Sequence, residues 1–162
     1  MLQAAIDQAA PAVGTDNAQV LKLRQWRAAA LELGGDVRRA LPEFDRLAAA
    51  FARTGGPRHP QALACRRQAA YCRAQLGEAG AALQQFRDVL EDYRAAEGDG
   101  NEAVGELRRD IVMLLLAEQR IPEVLPLLAD LHTDFAVLYG PDHERTREIA
   151  ELIERLRRTG ES

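Results

Sequence analysis

Apolar and polar residues alternate along this chain with the period of an α-helix. Leu83, Phe86, Leu90 and Tyr93 recur every three or four positions, and Leu63 and Ala70 before them stand seven apart. That spacing gathers them on one helical face. The apolar stretches are interrupted by glycine, at Gly34-Gly35 and at Gly77 and Gly80, where a helix can stop because glycine tolerates positive φ. Pro122 marks a first helical turn. The segments TGGPRHP, EGDGNE and YGPDHE each join a glycine stop to a polar residue suited to capping the next helix. The pattern predicts helices over residues 2–12, 17–33, 37–53, 60–76, 79–96, 102–118, 122–138 and 143–158, and no strands.

These elements repeat. Gly14, Gly56, Gly98 and Gly140 are each 42 residues apart, and the same step carries Phe51 to Tyr93 and Phe135, His59 to Asn101 and His143, and Leu47 to Val89 and Leu131. Leu41, Leu83 and Leu125 align without insertion or deletion, as do Phe44, Phe86 and Leu128; Gly35 and Gly77 align with Gln119 in the third unit. A constant period of this length is the signature of stacked supersecondary units. The expected organisation is one domain over 1–162, built from a half unit (1–16), repeats at 17–58, 59–100 and 101–142, and a C-terminal capping helix at 143–162. The last helix, with Glu151, Glu154, Arg155, Arg157 and Arg158, is polar enough to close such a stack, whereas the first, with Leu2 and Ile6 among alanines, calls for a partner. A fragment of a larger protein is therefore expected.

Composition narrows the function. Ala, Leu, Arg, Glu and Gln dominate, as in an all-helical chain, and Lys22 is the only lysine. A net charge of −4 argues against nucleic-acid binding by general electrostatics. The apolar run Ile111–Ala117 is far short of the roughly 20 residues that span a bilayer, and the N-terminus lacks a basic region before an apolar stretch, so no membrane partner and a cytoplasmic location are expected. Because that run is continuously apolar, its helix is expected to be buried on most sides. Cys65 and Cys72 lie about 10 Å apart along one helix, too far for a disulfide, and read as small buried hydrophobes. His59 and His143 read as helix-start residues rather than ligands. No catalytic triad spacing, phosphate-binding glycine loop or CxxC pair occurs, and no cofactor, metal or catalytic residue is expected.

A helix pair with a turn glycine, a small residue early in its second helix and an aromatic four positions on resembles the tetratricopeptide repeat: Gly77, Ala82 and Phe86 fit it, as do Gly35, Ala40 and Phe44. The 42-residue length and the linker Gly140–Glu144 are similar to the longer variant of kinesin light chains and many bacterial signalling proteins. The resemblance implies an all-α, right-handed α-solenoid of antiparallel helix pairs, with about three repeats and a half unit at each end. It implies a non-catalytic module that binds a peptide or partner protein in a concave groove lined by first helices, as the regulatory part of a larger bacterial signalling protein. Carried over in register, its contact positions are Lys22, Gln25 and Ala29, then Arg67 and Tyr71, then Arg109 and Met113. That set would take an acidic or carboxylate-ended peptide, with the arginines holding the carboxylate. Against this stands the plainer reading in which the arginines form a solvated face, paired with Glu32, Glu106 or Asp110. A second column, Arg24, Arg66 and Arg108, lies one residue earlier. Trp26, the only tryptophan, is expected to pack between helices before it stands as an exposed contact. The alternative function is self-association through the terminal helices, giving a homodimer.

Overall fold

The computed structural model describes residues 1–160, except the side chains of residues 10–13 and 160; Glu161 and Ser162 of the expected capping segment lie outside the described residues. Among the described residues the chain is eight α-helices and no strand: α1 Leu2–Val13, α2 Ala18–Leu33, α3 Val37–Gly55, α4 Pro60–Gln75, α5 Ala79–Glu97, α6 Glu102–Ala117, α7 Ile121–Tyr139 and α8 Glu144–Gly160. Each lies within two residues of its predicted span. The repeat explains the agreement, because the same local chemistry starts and stops every pair.

The starts are four side-chain caps spaced 42 residues apart. Asn17 Oδ1 accepts from the Gln19 N–H at 2.9 Å, His59 Nδ1 from Gln61 at 3.2 Å, Asn101 Oδ1 from Ala103 at 2.7 Å and His143 Nδ1 from Arg145 at 3.2 Å. Each satisfies one of the N–H groups that a helix start leaves open. The two histidines thus begin helices, as expected. The stops lie in the left-handed region: Gly14, Gly56, Gly98 and Gly140 have φ of 89°, 90°, 81° and 97°. In the tighter turn within each pair, Gly35 and Gly77 have φ of 82° and 83°, and Gln119 keeps the same handedness at 57° without glycine's freedom. The backbone path is therefore preserved in the third repeat although the residue that eases it is gone.

The chain divides into two compact units, residues 1–92 and 93 onward. In the first, Leu21 and Ala28 of α2, Phe44, Leu47 and Phe51 of α3, and Cys65, Ala69 and Cys72 of α4 form one core cluster. Burial raises the Cys65 thiol to about 12 and the Cys72 thiol to about 11, the latter helped by the Glu32 and Asp45 carboxylates. Both cysteines are free and buried, as read from sequence. A buried carboxylate, Glu43, lies among Arg24 (3.8 Å), Arg27 (2.9 Å) and Arg46 (3.0 Å) and ties α2 to α3. In the second unit Val104, Leu107, Ile111, Val112 and Leu115 of α6 are buried, as are Val124, Leu128, Leu131 and Phe135 of α7.

Two expectations are corrected. The run Ile111–Ala117 is not buried on most sides: Ile111, Val112 and Leu115 are, but Met113 is 57% exposed. Seven consecutive residues turn through about two helical turns, so some must face away from the core whatever their polarity. Trp26 is 53% exposed rather than packed between helices.

Candidate interaction pocket

An open pocket of about 770 Å³ lies in the first unit where α2, the end of α3 and the start of α4 meet. Its walls are Leu21, Trp26, Ala29 and Phe51, and its rim carries Lys22, Gln25, Gln61 and His59. The helical period of α2 produces half of it, because Lys22, Trp26 and Ala29 follow one another at four and three positions and so share a face. The N-cap of α4 supplies the rest: the His59 ring, held by its bond to Gln61, stacks on Phe51 with centroids 5.6 Å apart and planes 8° from parallel.

Gly55 makes room for that stack. A Cβ there would fall 2.1 Å from His59 Cδ2, so any side chain would displace the ring. The corresponding residue of the third repeat is Tyr139, which stacks instead on His143 at 5.0 Å.

The electrostatics of the pocket are simple. Asp16 is neutralised by Arg53 at 3.0 Å, and the Gln25 amide donates to Gln61 Oε1 at 3.1 Å. Lys22 has no carboxylate within ion-pair distance among the described residues; its ammonium lies 5.4 Å from the Trp26 ring centroid. An uncompensated cation beside an exposed indole, over an apolar floor, is equipped to receive a group that is partly apolar and partly anionic.

The structure thus brings together three of the residues read from sequence, Lys22, Gln25 and Ala29. Arg67 and Tyr71 form a pair of their own on α4: the guanidinium lies 5.7 Å over the Tyr71 ring and donates to its hydroxyl at 3.4 Å, while Tyr71 meets Phe86 edge-on at 5.1 Å. In the second unit Arg109 is 3.8 Å from Glu106, which also takes Arg145 at 3.1 Å. Met113 is exposed on the same helix. The neighbouring arginine column is tied into the scaffold, Arg66 to Asp92 at 2.5 Å and Arg108 to Asp134, each joining the first helix of its repeat to the second. Asp92 titrates below its ordinary range because, although burial opposes it, the hydrogen bonds and charges of Arg66 and Arg58 prevail.

Sequence reasoning missed Trp26, Phe51, His59 and Gln61 as parts of one pocket. A signal existed at Trp26: its place in the repeat is taken by Gln68 and Asp110 in the next two units, so a large aromatic there departs from the scaffold's own pattern.

By sequence the chain matches no family model and no curated protein. By structure it is similar to a kinesin light chain of Podosopora anserina with nearly identical TPR-like repeats, with a TM-score of 0.70 and 17% identity over 84% of this chain and 64% of that one. A variant of the same protein gives equal values. It is also similar to BtubC (BKLC) from P. vanneervenii, with a TM-score of 0.65 and 11% identity over 88% of this chain and 65% of that one. The chain therefore spans somewhat under two thirds of the length of these structures. No helix among the described residues is long and apolar enough to cross a membrane. With eight helices paired in a 42-residue register and these structural neighbours, the chain is an all-α repeat solenoid of the TPR-like fold.

Proposed function

We propose that this chain is a non-catalytic protein-interaction module which binds a peptide or partner protein at the pocket on α2 and α4, and that it serves as the interaction part of a larger signalling protein. The carrying observation is the pairing of an unneutralised Lys22 with a half-exposed Trp26 above an apolar floor. Aromatic anchors in pockets dominate the energetics of interfaces, and a free cation at the rim selects among partners by charge. The ligand is an acidic or carboxylate-ended peptide: its apolar side chain occupies the floor between Trp26 and Phe51, and its carboxylate meets Lys22. Gln25 and Gln61 add neutral donors and acceptors at the rim. The candidates Arg67 and Tyr71 would lengthen the contact surface along α4 of the same unit, whereas Arg109 and Met113 belong to the second unit.

Since Trp26 is the only tryptophan, its fluorescence reports the pocket alone. Titration with peptides ending in an apolar residue and a free carboxylate is expected to shift its emission saturably. Lys22→Glu, or amidation of the peptide, is expected to weaken binding about tenfold, equivalent to about 1.4 kcal/mol. Binding of a labelled peptide that is unchanged by both Lys22→Glu and Trp26→Ala would overturn the assignment. Arg67→Glu measures whether the contact surface extends along α4, and Arg109→Glu, measured separately, whether the second unit takes part in binding.

A further inference from the structure

Helices α2 and α4 lie side by side and are bridged twice by side-chain amides. Gln25 donates to Gln61 at 3.1 Å, and further along the pair Gln68 donates to Glu32 at 3.1 Å. Each bridge joins residues 36 apart in sequence, so the two helices run in the same direction with one constant offset. Gln25 and Glu32 are about two turns apart, which puts both bridges on one face of α2 with about 10 Å between them. The first bridge lies in the pocket; Glu32 lies beyond it, one turn past Ala29.

Glu32 is an uncompensated charge. It is half-buried, and no cation stands within ion-pair distance of it among the described residues. Burial holds its carboxyl above the ordinary carboxylate range, against the hydrogen bond from Gln68. A carboxylate drawn out of water onto one amide donor keeps much of its desolvation cost, and an arriving cation would offset it. Glu32 also stands in the last turn of α2, where the open carbonyls of the helix end favour positive charge. Towards the other end of the same helix stands Lys22, the cation without a carboxylate partner among the described residues. Neither charge belongs to the repeat's own pattern. The place of Glu32 is taken by Ala74 and Leu116 in the next two repeats, and that of Lys22 by Ala64 and Glu106.

Lys22 and Glu32 are about 15 Å apart along the helix axis. An extended peptide covers that distance in about four or five residues at about 3.3 Å each. We propose, resting on the reading of the pocket as a site for a carboxylate-ended peptide, that the ligand is an extended segment carrying both complementary charges. Its C-terminal carboxylate meets Lys22, and an arginine or lysine about four or five residues earlier meets Glu32. Leu33, next to Glu32 and 90% exposed, offers an apolar surface to the aliphatic stem of that basic residue. Opposite charges at the two ends of the path fix the direction and register of the segment.

A labelled parent peptide with an apolar last residue, a free carboxylate and otherwise neutral residues isolates the pocket. Arginine placed in turn two, four, five and ten residues before its end isolates the second contact. Fluorescence anisotropy is expected to show that arginine at four or five strengthens binding about fivefold over the parent, and that glutamate there weakens it. Glu32→Ala, which installs the residue that the second repeat carries at this place, is expected to abolish the gain. Circular dichroism checks that this variant keeps its helicity; where it falls, Glu32→Gln takes its place. Binding of the parent with no gain from arginine at four or five would overturn this proposal and leave the pocket reading standing, as would a gain that survives the loss of the Glu32 carboxylate. A gain largest at ten residues, the spacing of a helical ligand, would overturn the extended path. Failure of every peptide, the parent included, would overturn both readings.

Discussion

At matching places in the first and third repeats, Gln25 and Gln61 share a neutral amide bond of 3.1 Å, whereas Arg109 and Arg145 converge on Glu106 at 3.8 and 3.1 Å. The difference runs through both surroundings. Around the glutamines lie Lys22, without a carboxylate partner among the described residues, and an exposed Trp26. Around the arginines, Tyr139 donates to Glu102 at 3.0 Å and Arg145 lies 5.4 Å over the Tyr139 ring. Burial, helped by the hydrogen bond to Glu102 and its charge, raises the Tyr139 phenol above its ordinary range against the opposing pull of Arg145. The space between these helices is about 310 Å³, against about 770 Å³ in the first repeat. One scaffold thus carries a larger, partly apolar pocket beside an unpaired Lys22 at one repeat and a smaller cleft lined by ion pairs at another. Repetition conserves the helix pairing and leaves the surface free to differ.

The comparison rests on the scaffolds being equivalent, and the largest effects test that. Phe51 and Phe135 occupy the same place and are both buried. Phe51→Ala and Phe135→Ala are each expected to cost about 3–5 kcal/mol in urea unfolding. A loss confined to one would mean that the repeats do not share their packing.

Of intermediate size is the replacement that should close the open pocket. Gly55→Ala places a methyl group against the His59 ring and is expected to cost about 1–3 kcal/mol, as overpacking does. Because the ring must leave Phe51, the emission of Trp26 across the pocket should shift as well. Unchanged emission together with unchanged stability would show that the His59 stack does not shape the pocket.

The smallest effect has the opposite sign. Gln119 holds φ at 57°, where Gly35 and Gly77 stand in the other repeats. Gln119→Gly is expected to raise stability by about 1 kcal/mol, because the left-handed conformation costs a residue with a Cβ about that much. Gly77→Gln should lower it by a similar amount. Thermal or urea unfolding measures both, and a destabilised Gln119→Gly would mean that the glutamine side chain contributes more than its backbone strain removes.

Much of the scaffold was legible because each repeat states its rules locally. A glycine at a fixed place, a capping Asn or His after it and a three-four apolar spacing are short-range signals, and their return every 42 residues checks each against the others. Lys22, Gln25 and Ala29 came from the resemblance, carried over in the same register, and helix pitch explains why they share one face. The pocket that joins them to Phe51, His59 and Gln61 was not legible, because those residues come from α3 and α4 and meet only across the packed pair. Trp26 misled for a related reason: its size predicted burial, and only the packed structure reveals that its place on α2 looks outward.

The sequence by itself determined the helices, their caps, the left-handed turns and the pairing order, all of which depend on residues within a few turns of one another. The tertiary structure alone decided that Arg66 is spent on Asp92 and Arg108 on Asp134, and that Lys22 beside Trp26 is left without a carboxylate partner among the described residues. Helical period places a charge on a face, but the partner that neutralises it lies 26 residues away on another helix, and only packing brings the two within reach.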